Sequence, residues 1–307
     1  MKISTPLYFN RSTQMLSDVQ NKLAKTQEQL STGKQIVKPS DEPDKAALVT
    51  RLDTQIARHQ GYLDTLGAVN VRLTAEETAL KNTSDVLFRI KELTMQGANG
   101  TLSAQDRQSV ALEIRTLREQ ILSLANSQDA NGNYLFSGSR ATQAAFEKDS
   151  TGRISYQGDH ARMKVNVGDN RQMNLNMPGS DVFTRVVRTD DKGVKVGVDF
   201  FQVLADISTA IENGEPVTMQ RGVAEVDSLQ NGISEGLGQV GADLTVVDMQ
   251  TTVLDQMMLQ FKSSRSDIED LDYTEAISRL NKDQLALEAA QSSFAKISQL
   301  SLFQYIN

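Results

Sequence analysis

Three groups of residues could do chemistry by type and spacing. Gly236, Gly238 and Gly241 match the G-x-G-x-x-G turn that cradles a dinucleotide pyrophosphate. That chemistry needs a strand before the turn and a helix opening after it. Here the match lies inside a helical seven-residue pattern, so the dinucleotide reading falls. Asp267, Glu269, Asp270 and Asp272 cluster four carboxylates within six positions. They lack the D-x-D-x-D-G loop of a calcium site. They read instead as a solvated helix start, matched to the positive end of the dipole of a helix that follows. The two histidines, His59 and His160, are far apart and unlike in context. His59 falls on a heptad position and reads as a seam or boundary residue rather than a ligand or base.

Other chemistry has no carrier. There is no Cys, which excludes disulfides, thiol catalysis and Cys-based metal sites. No nucleophile elbow and no Ser/His/acid set is suggested, so the sequence reads as a non-enzyme without a cofactor or metal. Asn82-Thr83-Ser84 and Asn99-Gly100-Thr101 match glycosylation acceptors only at the level chance allows. A net charge of -7 argues against a general nucleic-acid binder. No apolar run approaches the roughly 18 residues of a membrane-spanning helix. Met1 to Asn10 has one Lys and no apolar core of signal-peptide length. Only 5% of residues are aromatic and none is Trp, thin for a compact globule and ordinary for long exposed helices.

The elements themselves carry the signal. Arg11 to Thr32 holds Leu16, Val19, Leu23 and Leu30; three of these Leu are seven apart, a coiled-coil seam. Gly33 follows as a stop. Val37 to Asp44, with Pro39 and Pro43, reads as a turn, with Asp41 expected to cap the next helix. From Asp44 to about Gln96, Leu52, His59, Leu66, Leu73, Leu80 and Leu87 share one heptad position. At about 1.5 Å per residue this helix would run roughly 75 Å. Ser103 starts a third helix through Val110, Ile114, Leu117, Ile121 and Leu124.

Residues 134 to 198 change character. Ile154 and Tyr156, then Met163, Val165 and Val167, then Met173, Leu175 and Met177, then Val194, Val196 and Val198 alternate between turn residues. This predicts a small antiparallel β insert. Phe200 to Ile211 returns to helix. Pro216 opens a long late helix with Val226, Ile233, Val240, Val247, Leu254 and Phe261 seven apart. Gly232, Gly236, Gly238 and Gly241 inside it mean either a break or a close approach between helices. The last stretch, Ser266 to Asn307, carries an apolar stripe of Ile277, Leu280, Leu287, Phe294, Ile297 and Leu300, with Leu302 and Phe303 beyond it.

The fold class that follows is mainly α with a β insert: a long antiparallel helical bundle, a terminal coiled coil and a small antiparallel β domain. Three domains are expected. Residues 1–43 with 266–307 form the terminal coiled coil, 44–133 with 199–265 the bundle, and 134–198 the outer β insert. The nesting brings the two ends together. A pair of helices buries one seam, so the remaining apolar surface reads as an assembly interface.

These ends resemble the bacterial flagellin superfamily. Leu30-Ser31-Thr32-Gly33-Lys34, then Ile36 and Pro39-Ser40-Asp41-Glu42-Pro43, is similar to its N-terminal signature, and Ile268-Glu269-Asp270-Leu271-Asp272-Tyr273 with Glu275 and Ala276 to its C-terminal one. Asn133 to Ser139, Tyr156-Gln157-Gly158-Asp159 and Pro178-Gly179 resemble one branch, the hook-associated proteins of the distal hook–filament junction. Where flagellins carry a Lys-Asp-Asp-Ala-like turn, this chain has Asp41-Glu42-Pro43-Asp44. The resemblance implies a structural adaptor of the bacterial flagellum with no enzymatic role. It would be exported unfolded through the flagellar channel without a cleaved signal peptide. Its implied partners are a proximal hook-associated junction protein, flagellin, copies of itself in a ring, and a cytoplasmic export chaperone on the C-terminal helix. The alternative within the superfamily is a flagellin-type filament subunit. A cytoplasmic coiled-coil scaffold, from a different class, would need a receptor or effector motif that the sequence does not show.

Overall fold

A computed structural model describes residues 4–189 and 195–303, with side chains throughout except at positions 4–6, 8 and 297–303. Seven helices and six strands follow in chain order among them. The helices are α1 (Ser4–Thr32), α2 (Pro43–Ala98), α3 (Ala104–Ala125), α4 (Gly179–Val182), α5 (Phe200–Asn213), α6 (Pro216–Glu269) and α7 (Tyr273–Phe303). The strands are β1 (Phe146–Lys148), β2 (Ile154–Tyr156), β3 (Lys164–Gly168), β4 (Arg171–Asn174), β5 (Val186–Thr189) and β6 (Lys195–Val198). The chain divides into two compact units, one of residues 1–59 and 256–307, the other of residues 60–255. The mainly α class with small antiparallel strand pairs is as expected.

In the larger unit the heptad positions form the core. Leu66, Leu73, Leu80 and Leu87 of α2 and Val226, Ile233, Val240, Val247 and Leu254 of α6 are all buried. The pairing is antiparallel: Lys91 meets Asp227 at 2.5 Å, Ser84 meets Gln230 at 2.6 Å, and Leu80 lies beside Gly236. The glycine cluster does not break α6. Gly232 and Gly236 admit Thr184 and Val182, with a Cβ at Gly232 falling 2.6 Å from the Thr184 hydroxyl. The close approach is therefore to the chain after α4 as well as to a helix. Gly238 and Gly241 face open space.

Ser103 caps α3 through a full capping box with Asp106, and Gly214 ends α5 in the left-handed region. Asp41 does not cap α2. Its carboxylate accepts from the Lys38 backbone at 3.2 Å and pairs with Lys25 at 2.9 Å, so it closes the preceding turn instead. That interaction holds its pKa below the usual carboxylate range, with the Lys25 bond as the main cause.

The insert is three separate two-stranded hairpins, β1-β2, β3-β4 and β5-β6, each antiparallel. β1 and β5 were not predicted. β1 has three residues with only Phe146 buried, too few to show alternation. Pro178-Gly179, read as a turn, opens the one-turn helix α4. Val194 lies outside the described residues. The hairpins share no sheet; an aromatic cluster packs beside β1-β2 and the approach to β5, and Gln250 of α6 donates to the Val167 carbonyl of β3 at 3.1 Å. Phe183 packs edge-on to Phe136, Phe146 and Phe200 at centroid distances of 5.6, 5.2 and 5.2 Å. Arg188 of β5 adds a two-pronged pair to Glu225 of α6 at 2.6 and 2.8 Å and a contact to Asp206 of α5.

One buried polar group is out of balance. Arg72 donates to the Tyr134 and Leu135 carbonyls at 3.2 and 2.9 Å and pairs with Asp129 at 3.3 Å. Asp129 is itself held ionised by the Asn131 and Asn133 backbone donors. Glu76, wholly buried, sits 3.4 Å from the same guanidinium. A second carboxylate there would exceed the available positive charge. Burial outweighs the Arg72 attraction and pushes Glu76 up to about 8. The sign follows from linkage. Between the ordinary value of 4.5 and about 8 the folded state keeps a proton that the unfolded chain has lost, so stability falls as pH rises across that window. Glu76→Gln removes the titration. It is expected to leave thermal stability nearly unchanged at pH 4.5 and to raise it at pH 9 by about 1–3 kcal/mol. Parallel melting curves from pH 4.5 to 9 check this; equal slopes for both proteins would show that Glu76 does not carry the proton.

Candidate assembly interface

The chain ends meet in the smaller unit. α1 and α7 pack along their length, from Phe9 against Phe294, ring centroids 5.1 Å apart, to Thr26 beside Asp283 at 3.4 Å. Leu16, Val19, Leu23 and Leu30 on α1 are half-buried, as are Leu280, Leu287 and Phe294 on α7. The α7 seam has a companion row one step over, Ala276, Asp283 and Ala290, each seven apart and less exposed than its neighbours. Ile277 lies just off both rows and is half exposed. The side chains of Ile297, Leu300, Leu302 and Phe303 lie outside the described residues.

Two buried positions of α1 are polar. Thr26 continues the Val19 row by seven residues and is buried; its hydroxyl bonds the Lys22 carbonyl at 3.0 Å and faces Asp283. A polar pair inside an otherwise apolar seam fixes register between helices. Gln29, also buried, donates to the Gln35 carbonyl at 2.6 Å. Neither was singled out from sequence, although the spacing of Thr26 from Val19 was a legible cue.

A backbone clasp closes the base of the pair. Gly33 sits at φ +70° and receives the Leu271 N–H at 3.0 Å, while the Gln35 N–H donates to Glu269 at 2.7 Å. Lys34 and Asp270 form an antiparallel bridge, and the Lys34 ammonium bonds Glu269. Arg265 reaches Asp53 at 3.0 Å and Glu269 at 3.6 Å, which keeps its pKa raised chiefly through Asp53. A Cβ at Gly33 would fall 2.8 Å from the Tyr273 hydroxyl. The left-handed backbone and the close approach both call for glycine here. Beneath the clasp Ile36, Met258, Leu271 and Ala276 are buried, and His59 packs edge-on to Phe261 at 5.2 Å.

The acidic cluster resolves differently from the expectation. α6 continues to Glu269, so Asp267 and Glu269 lie in its last turn, the end that disfavours negative charge. Glu269 is compensated by Lys34 and Arg265. Only Asp272 starts a helix: its carboxylate accepts from Thr274 and Glu275 at 2.8 and 3.1 Å. The closing helix is thus interrupted at residues 270–272 rather than unbroken from Ser266. Outside the seam, Leu285 of α7 and Leu7 and Met15 of α1 are exposed. The arrangement is a two-helix pair with one filled seam and uncovered apolar residues on its outer faces. Among the described residues no group of acidic and imidazole side chains could hold a metal, and no helix is long and apolar enough to cross a membrane.

Comparison with known proteins bears on both ends. Residues 3–141 match the bacterial flagellin N-terminal helical region, and residues 223–306 the bacterial flagellin C-terminal helical region. Flagellar hook-associated protein 3 of Salmonella typhimurium is 27% identical over 320 residues, covering 99% of each chain. A flagellin of Listeria innocua is 23% identical over 312 residues, covering 100% of each. The solved structure of a putative flagellar hook-associated protein from Vibrio parahaemolyticus superposes with a TM-score of 0.64 at 24% identity, over 75% of this chain and 100% of that one; it speaks for the fold. With both flagellin helical regions at the two ends of one polypeptide, and with the likeness to hook-associated protein 3 running its full length, this chain belongs to the bacterial flagellin superfamily, on the hook-associated side of it.

Proposed function

We propose that this protein is a structural adaptor of the bacterial flagellum, joining hook to filament at the distal junction. The observation that carries the reading is the α1–α7 pair, with one filled seam and apolar residues left on its outer faces, in a chain aligned end to end with hook-associated protein 3. Residues 1–43 with 266–307 act as the assembly domain, 44–133 with 199–265 as the bundle, and 134–198 as the outer insert. Leu16, Val19, Leu23, Leu30, Ile277, Leu280, Leu287, Phe294, Ile297, Leu300, Leu302 and Phe303 make the assembly interface, the first rows within the chain and the outer ones with neighbours. The partners are further copies in a ring, the proximal junction protein on one side and flagellin on the other. An export chaperone holds the closing helix before secretion through the flagellar channel, by helix-in-groove capture. The role is scaffolding, with no reaction.

The mechanism is coupled folding and assembly. An isolated helix pair with one apolar seam is marginal in water. Neighbouring subunits supply the missing cover, and the ordering of both ends is completed at that step. A flagellin-type filament subunit is the second reading, favoured by the full-length likeness to a flagellin. The two differ in self-association: a filament subunit polymerises alone into long fibres under the microscope, and a junction protein does not.

Deleting residues 278–307 is expected to keep the cooperative melt of residues 60–255 while abolishing junction assembly and swimming; filament growth from the truncated protein would refute the interface. Hydrogen exchange on the dilute monomer should show weak protection across 277–296, rising on assembly. Strong protection in the monomer would remove coupled folding from the mechanism. Gly33→Ala should weaken the terminal unit by about 1–2 kcal/mol through the left-handed backbone and the Tyr273 contact. Adding Tyr273→Phe should restore only the contact part, as read by protease susceptibility of the chain ends.

A further inference from the structure

The insert encloses a cleft of about 680 Å³ that the junction role does not use. It runs beside β2. The backbone of β2 is joined to β1 at alternate positions: the Gln157 N–H donates to Ala145 at 2.8 Å and the Asp149 N–H to Arg153 at 2.9 Å. In an antiparallel pair the intervening residues turn their N–H and C=O groups outward. Those residues are Phe146 and the exposed Lys148 on β1, and Ile154 and Tyr156 on β2.

The two outer edges are treated differently. On β1, Phe146 is closed by a side chain. Its N–H donates to Asn126 Oδ1 at 2.9 Å and its carbonyl accepts from Asn126 Nδ2 at 2.8 Å, so one carboxamide stands where a neighbouring strand would. On β2, the outward groups of Ile154 and Tyr156 have no hydrogen-bond partner among the described residues. Ile154 is 2% exposed and Tyr156 partly exposed, so the unpaired edge opens to the cleft at Tyr156. Arg153 and Ser155 from one face of β2, and Ile154 and Tyr156 from the other, all line the cleft. The open space therefore follows the unpaired edge.

The walls set a chemistry for the occupant. Phe183 and Phe200 supply an aromatic floor. At the rim, Arg153 and Arg185 both bind Asp199, at 3.3 and 2.7 Å. Two guanidiniums share one carboxylate, a positive rim on a chain of net charge -7. The acidic groups at the far end are occupied: Asp181 pairs with Arg162 at 2.7 Å, and Asp159 accepts from the Ser139 and Ala161 backbones.

We propose that this cleft is a β-augmentation site for an extended, acidic peptide segment of another protein. The segment adds to the outer edge of β2, taking the N–H and C=O groups of Tyr156. Its alternate side chains fall on opposite faces: apolar ones over Phe183 and Phe200, carboxylates against Arg153 and Arg185.

The test uses the full chain and a capped hexapeptide alternating valine and glutamate, titrated by fluorescence anisotropy. Saturable binding is expected, with slowed amide exchange at Tyr156. The same peptide N-methylated at alternate amides should bind at least about tenfold more weakly, because the edge bonds are lost. The double variant Arg153→Glu with Arg185→Glu changes exposed side chains; it should lose a similar factor for the glutamate peptide and gain affinity for a lysine version. No binding at millimolar peptide, equal binding of the N-methylated peptide, or indifference to charge reversal would each overturn the proposal. So would protection of Tyr156 that rises with protein concentration alone, which would make a second copy the occupant.

Discussion

A pair of helices can bury one seam and no more. Each α-helix has a full circumference of side chains, and contact with one partner covers a stripe of it. This limit separates the two units of the chain. In residues 60–255 the α2 and α6 heptads are backed by α3, α5 and the insert, and Leu80, Leu87, Ile233 and Val240 become inaccessible. In the terminal unit α1 and α7 pack along each other, and Leu16, Leu23, Leu280 and Leu287 stay half-buried. The same periodic pattern thus yields a finished core in one place and an unfinished one in the other.

Register matters more than strength in such a pair. An apolar seam tolerates sliding by a heptad, because each step presents the same residue types. The Thr26–Asp283 contact and the clasp at Gly33, Gln35, Glu269 and Leu271 remove that freedom. Backbone bonds at the base set where the helices begin to run together, and the polar pair sets it again further along. The outer faces then present Leu285, Ile277 and Met15 at fixed positions.

In the larger unit the insert is held by side chains rather than by a sheet. Three hairpins of three to five residues per strand could not stand alone in water. The phenylalanine cluster, Arg188 between Glu225 and Asp206, and Arg72 between Asp129 and two carbonyls tie them to the helices. Burying that many charges leaves little tolerance for an extra one, and Glu76 is the group that yields by keeping its proton.

Periodicity made much of this legible in the sequence. The seven-residue recurrence fixed α1, α2 and α6 and their inward residues, because a buried stripe on a long helix repeats without tertiary help. The helix start at Ser103 and the stop at Gly33 are local and were equally legible, as was the pairing of the two ends. Tertiary structure alone decided what depends on residues far apart. Asp267 and Glu269 became the end of a helix rather than the start of one, with Lys34 and Arg265 compensating Glu269 there. The glycines of α6 became seats for Val182 and Thr184. β1 and β5 formed because Asn126 and Arg188 hold them, not because three or four residues show a pattern. Local spacing dictates which face of an element is apolar; only packing dictates what meets that face, and at the terminal helices part of it remains open.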